Sequence, residues 1–188
     1  HKHRRRQRQM CIRDSSGIVK HIPGHGRAQV DSHESLPIID NCLNDLLSKE
    51  FSPFIQLRFA AAAMTGHLLF PKLDQTHPVT FSKKIINDII RNLIKFEGIL
   101  LSDDLSMNAL SGSIGDRYIS ALEAGCDVGL HCNGNVQEME LVAKACPGTN
   151  EVSKSRIKIF LKKVADVSNN REISQIQELK ASLREGLK

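Results

Sequence analysis

The chain has 188 residues, 40% of them hydrophobic and 25% charged, with 12 Gly and 6 Pro, the composition of a folded globular domain rather than a collagen-like or disordered chain. Its longest apolar run, Phe59 to Met64, is far shorter than a membrane span requires, and no signal-peptide pattern opens the sequence. The net charge of +5 resides in residues 1–15, where Lys2, Arg4, Arg5, Arg6, Arg8 and Arg13 face only Asp14; the other charges balance, and with no Trp and one Tyr a nucleic-acid-binding surface is not expected.

Residues 1–15 read as a basic tail, disordered or artefactual, outside the folded unit. Gly17 to His21 is the first strand expected, stopped by Pro23-Gly24. A polar loop then runs to about Pro37, followed by a helix from Cys42 to Glu50. Phe59 to Thr65 is the second expected strand, and Ser82 to Lys95 a helix with Ser82 as N-cap and Ile85, Ile86, Ile89, Ile90 and Leu93 on one face. The apolar run Gly98 to Leu101 stops at Ser102-Asp103-Asp104. A helix over Asp116 to Ala124, a run from Asp127 to Cys132 and a helix over Asn135 to Ala145 come next, and Pro147-Gly148 breaks the chain. Residues 151–188 read as C-terminal helices, split near Ser168-Asn169-Asn170.

Continuous apolar strands alternating with helices predict an α/β fold with a parallel sheet covered on both faces. Doubly wound sheets and (β/α) barrels share that signature, and both place their chemistry in the loops at the carboxyl ends of the strands. The polar residues of this chain gather there: Lys20, His21 and His25; His67; Asp103 and Asp104; His131 and Asn133. Five cysteines, Cys11, Cys42, Cys126, Cys132 and Cys146, form no CxxC pair. Neither a disulfide framework nor a zinc ribbon fits, and reduced thiols in a cytoplasmic protein are expected.

Two segments carry chemistry. In Lys20-His21-Ile22-Pro23-Gly24-His25-Gly26, continuing to Asp31-Ser32-His33, the glycines fit a tight turn beside a ligand. The Asp31-x-His33 spacing lets a carboxylate take one ring N–H and leave the other nitrogen for proton transfer. Ser102-Asp103-Asp104-Leu105-Ser106-Met107 places two carboxylates at the end of an apolar strand, where desolvation is costly without a partner or a task. Alternation along the strand sends the two in different directions, one into the site and the other to cap the following segment or to make structural hydrogen bonds.

Together these segments resemble the glycoside hydrolase family 3 β-N-acetylhexosaminidases, in particular the bacterial cytoplasmic β-N-acetylglucosaminidases of peptidoglycan recycling. Residues 20–26 with 31–33 are similar to the family's KHFPGHG…DSH, Met64-Thr65-Gly66-His67 to its MTAH, residues 102–107 to its SDDLSM and Ala121 to Asp127 to its ALEAGCD. Ile22 stands where the family has Phe, and His131 where its strand is apolar. The resemblance implies a retaining glycosidase without cofactor or metal. Asp103 is then the nucleophile that forms a covalent glycosyl-enzyme, His33 the general acid/base and Asp31 its partner, while Lys20 and His21 hold the sugar. The implied partner is an N-acetylglucosamine-containing saccharide or muropeptide.

The motifs belong to the second half of the family's barrel. Residues 16–150 are therefore expected to form an incomplete (β/α)8 TIM barrel, about four C-terminal βα units, since a whole barrel takes about 250 residues. Open sheet edges would invite self-association, and such a half-barrel is expected to be weakly active or inactive alone. Two other readings are a metal-dependent hydrolase using His21, His25, His33 and Asp103, and a sugar-binding module without catalysis.

Overall fold

The computed structural model describes residues 17–166. Four strands, β1 (Ile18–Ile22), β2 (Ala62–Thr65), β3 (Ile99–Asp104) and β4 (Val128–Leu130), form one sheet in the order β1-β2-β3-β4. Each strand pairs in parallel with the next, and helices fill every connection: α1 (Leu43–Lys49) and α2 (Ser52–Gln56), α3 (Ile85–Leu93), α4 (Ile114–Ala124) and, beyond β4, α5 (Val136–Ala145). Residues 151–166 form α6. Sequential strand order with helical crossovers is the expected α/β arrangement, four successive βα units as in a (β/α)8 barrel. The basic tail, Cys11 and the helix expected after Ser168 lie outside the described residues.

The apolar pattern explains the packing. Ala62, Ala63 and Leu100 in the central strands are fully buried, and the core continues through Leu46, Phe51, Leu68, Phe70, Ile85, Ile86 and Ile90. Phe51 meets Phe70 edge-on, with ring centroids 6.0 Å apart, an arrangement that aromatic quadrupoles favour. Ser82 caps its helix as expected, accepting a hydrogen bond from the Ile85 N–H at 3.0 Å. α4 starts on Ser113, whose hydroxyl accepts from the Asp116 N–H, and ends on Gly125 at φ 118°, the left-handed conformation glycine adopts without strain. Asn135 caps α5 with bonds from the Gln137 and Glu138 N–H groups.

Several elements differ from expectation: α2 is an additional short helix, β3 runs on through Ser102-Asp103-Asp104, and α4 begins at Ile114 rather than Asp116. The second strand begins at Ala62 rather than Phe59; Phe59 is 77% exposed, with the Arg58 guanidinium 4.3 Å from its ring centroid. The helix after Ser82 is π-wound from Ile85 to Leu93, with the Ile94 N–H donating to the Ile89 carbonyl five residues back. The additional residue in that turn rotates Ile94 onto the buried face that α-helical spacing assigns to Leu93.

The amino ends of the strands are tied by a buried charge. Asp127, just before β4, accepts from Arg91 Nη2 at 3.0 Å, the Leu100 N–H at 2.9 Å, Ser153 Oγ at 2.7 Å and Arg156 Nη1 at 3.2 Å. Arg91 also donates to the Phe96 and Gly98 carbonyls. One carboxylate thus fastens α3, β3, β4 and α6 together at the face opposite the carboxyl ends of the strands.

Candidate active site

At the carboxyl ends, both strands that carry candidate residues break register at those residues. On β1, Lys20 pairs with Met64 but Ile22 with Thr65, so His21 is the extra residue. On β3, Leu101 pairs with Val128 but Asp104 with Leu130, so Ser102 and Asp103 span one pairing step of β4 too many. Bulges bend a strand and re-aim its side chains. Here they bring His21 Nε2 to 3.3 Å from Asp103 Oδ2.

The two neighbouring acids diverge. Asp103 keeps Oδ2 toward His21 while its Oδ1 accepts the Asp104 N–H at 2.9 Å. Asp104 is consumed by structure: Oδ1 accepts the Ser106 and Cys132 N–H groups, both at 3.0 Å, and Oδ2 accepts from the Ser106 hydroxyl at 2.7 Å. Desolvation opposes its ionisation, but those bonds outweigh it and hold the Asp104 carboxyl below its ordinary pKa. The Ser102 hydroxyl accepts the Leu130 N–H at 2.9 Å and, with Asp104, staples β3 to β4.

His21 is pulled the other way. Burial lowers its pKa most, and although Asp103 opposes this, Lys20, His25 and His67 add to it. Its contact with Asp103 is therefore one of a neutral imidazole with a carboxylate at neutral pH. The His25 ring centroid lies 5.4 Å from that of His21. Lys20 is exposed, and its ammonium, unlike its backbone, makes no hydrogen bond or ion pair among the described residues.

Asp31 and His33 form the pair that their spacing allows. His33 Nδ1 lies 2.7 Å from Asp31 Oδ1, which also accepts the His33 N–H at 2.9 Å. That backbone bond, then the ring bond, hold the Asp31 carboxyl below its usual pKa. The Asp31 hydrogen bond chiefly, then its charge and more distantly those of Asp103 and Asp104, raise the pKa of His33. The pair is exposed, and no hydrogen bond or ion pair joins it to Asp103.

The loop that carries the pair is fastened at both ends. Glu50 accepts the Gly26 N–H at 3.0 Å and Arg27 Nε at 3.1 Å. Gly24 packs so closely there, at φ 154°, that a Cβ would lie 2.8 Å from Glu50 Cβ. At the far end, the Leu69 N–H donates to the Pro37 carbonyl and the Ile39 N–H to the Leu69 carbonyl, each at 2.9 Å. Glu50 was not apparent from sequence, and neither was Glu138, which accepts from His131 Nε2 at 2.7 Å and Asn133 Nδ2 at 2.8 Å. Both are surface-type residues whose partners lie in other elements; no local pattern marks them.

Among the described residues, no group of three or more His, Cys, Asp or Glu side chains gathers closely enough to hold a metal ion. The four side chains of the metal reading do not form such a group.

A parallel βα sheet with ionisable side chains at the carboxyl ends of its strands and in the loop after β1 has them where (β/α) barrels build their sites. Residues 9–167 match the Glycosyl hydrolase family 3 N terminal domain, and the chain belongs to that family. It is 33% identical to a beta-hexosaminidase of Idiomarina loihiensis over 88% of this chain and 48% of that protein. It is 38% identical to a beta-hexosaminidase of Pseudomonas aeruginosa over 66% of this chain and 38% of that protein. Among solved structures it resembles a family 3 beta-N-acetylglucosaminidase from Paenibacillus, with TM-score 0.68 and 28% identity over 86% of this chain and 32% of that one. It also resembles NagZ from Neisseria gonorrhoeae in complex with N-trifluoroacetyl-D-glucosamine, with TM-score 0.65 and 34% identity over 75% of this chain and 41% of that one. The chain spans less than half the length of these relatives.

Proposed function

We propose that this chain carries the catalytic residues of a retaining β-N-acetylhexosaminidase, with terminal β-linked N-acetylglucosamine as the glycone. Asp103 attacks the anomeric carbon while protonated His33 gives its proton to the leaving oxygen. His33, now neutral, then takes a proton from the water that releases the sugar. An imidazole stands in for the second carboxyl of the usual pair, and Asp31 holds its ring and favours its charged form. Neutral His21 borders the Asp103 carboxylate, the Lys20 that precedes it is exposed, and both are suited to sugar hydroxyls. The observation that supports this reading is the contact of His21 with Asp103 across the carboxyl ends of β1 and β3, with the hydrogen-bonded Asp31–His33 pair on the loop that leaves β1. Because His33 is exposed, its loop closes on the substrate between the Glu50 and Leu69 anchors.

Muropeptides are the natural aglycone class in this reading, the site of action is the cytoplasm, and the sheet edges at β1 and β4 are where a second copy or another part of the barrel pairs. Hydrolysis of 4-nitrophenyl N-acetyl-β-D-glucosaminide, followed by NMR, tests the chemistry. The β-anomer appears first, Asp103→Asn loses about 10³-fold or more in kcat, and His33→Ala loses about 10²–10⁴-fold. Initial release of the α-anomer, or an Asp103→Asn protein as active as the parent, contradicts it. Low or absent turnover by the chain alone is restored by the missing half-barrel if the site is only incomplete.

A further inference from the structure

His67, at the carboxyl end of β2, is completely buried and satisfied at both ring nitrogens. Nδ1 lies 2.9 Å from Thr80 Oγ1, and Nε2 lies 2.9 Å from the carbonyl oxygen of Asp104. Thr80 Oγ1 is in turn 3.0 Å from Thr65 Oγ1 and 3.4 Å from the Gly66 carbonyl. The order of protons follows from the ends of this chain. A carbonyl only accepts, so Nε2 carries the hydrogen. Burial lowers the pKa of His67, so the ring is neutral and Nδ1 is bare. Nδ1 must then accept from the Thr80 hydroxyl, whose oxygen accepts from Thr65. The Gly66 carbonyl is left as the longer, alternative acceptor.

The end of this relay is the carbonyl next to the candidate nucleophile. The Asp104 N–H holds Asp103 Oδ1, the Asp104 carboxylate is tied to Ser106 and Cys132, and the Asp104 carbonyl accepts from His67 at 2.9 Å and from the Met107 N–H of its own turn at 3.2 Å. Asp104, whose N–H the Asp103 carboxylate accepts, is thus held at its N–H, its side chain and its carbonyl, and only the His67 bond comes from the segment that follows β2. We infer that His67 is a positioning residue for Asp103: its Nε2–H grips the Asp104 carbonyl and sets the bulged end of β3 at the angle that presents the Asp103 carboxylate to the sugar. The inference rests on the functional reading above for its catalytic consequence, while the grip itself belongs to the ligand-free protein.

Two variants separate positioning from packing. In His67→Gln the amide nitrogen reaches the place of Nε2 and keeps the bond to Asp104, losing Thr80. In His67→Asn the shorter amide keeps Thr80 and loses Asp104. Each removes one hydrogen bond from the same buried site, so a merely structural role predicts equal losses. Positioning predicts that the Asp104 amide exchanges with deuterium at least about tenfold faster in His67→Asn than in His67→Gln, relative to the Leu100 amide in the same sample. It also predicts that kcat on the nitrophenyl glycoside falls about 10- to 100-fold in His67→Asn with KM little changed, while His67→Gln stays close to the parent. Equal exchange of the Asp104 amide in the two variants overturns the inference, as does an equal fall in kcat. A parent without turnover, alone or with the missing half-barrel, whose variants still split in exchange, supports the grip and counts against the functional reading instead.

Discussion

A histidine serves as a proton donor only while it holds its proton, and here that depends on a neighbour two residues away. The Asp31 carboxylate, 2.7 Å from His33 Nδ1, raises the imidazole pKa above its ordinary value of about 6.5. A raised pKa keeps the acid form present to higher pH, and it is lost as pH climbs through the shifted value. In Asp31→Asn the hydrogen-bonded charge is gone, and the His33 titration moves back toward lower pH. Titration of the His33 ring by proton NMR should show that downward movement, with the alkaline limb of kcat/KM shifting the same way. A titration unmoved by Asp31→Asn contradicts the pairing. Asp104, two residues from Ser102 and one from Asp103, shows how sharply role can change along a chain: its carboxylate bonds Ser106 and Cys132, whereas Asp103 keeps one oxygen toward His21.

At the scale of elements, the strand ends divide the labour of the fold. The carboxyl ends expose ionisable groups to ligand; the amino ends bury one, Asp127, between α3, β3 and α6. Removing one member of a buried ion pair strands its partner, at a cost of about 3–5 kcal/mol. Asp127→Ala should therefore lower the urea-unfolding free energy by about that amount, since Arg91 loses its carboxylate and the Leu100 N–H its acceptor; a loss under about 1 kcal/mol would show that water replaces the network. The presence of four strands and the places of most helices were legible in sequence because apolar runs, caps and breakers are local signals, whereas the strand order was implied only by the family resemblance. Ser82 and Asn135 could be recognised as helix starts from residue type and position alone. The π-winding of α3 was not legible, because the Ile pattern satisfies α-helical spacing equally well and only packing of Ile94 decides. Nor were the bulges at His21 and Ser102-Asp103, which are properties of register between strands tens of residues apart.

For the whole molecule, the candidate site was readable as a set of residue types at strand ends, and the family motifs named its members. What could not be read was which members touch. His21, expected as a sugar-binding residue, stands against Asp103, whereas the Asp31–His33 pair waits on an exposed loop. The supports, Glu50, Thr80 and Glu138, are ordinary residues whose partners arrive from other elements. Strands β1 and β3 hold His21 and Asp103 together without a ligand, whereas the proposed mechanism needs the loop to bring His33 to the sugar. In that mechanism Asp103 bonds the anomeric carbon. A 5-fluorinated N-acetylglucosaminyl fluoride slows release of the sugar more than its capture. Incubated with the chain and, in a parallel sample, with the chain plus the other half of a family 3 barrel, it should add one sugar mass to the protein, and peptide mapping should place that mass on Asp103. An adduct on any other residue, or turnover of the probe with no adduct and an unimpaired Asp103→Asn protein, would contradict it.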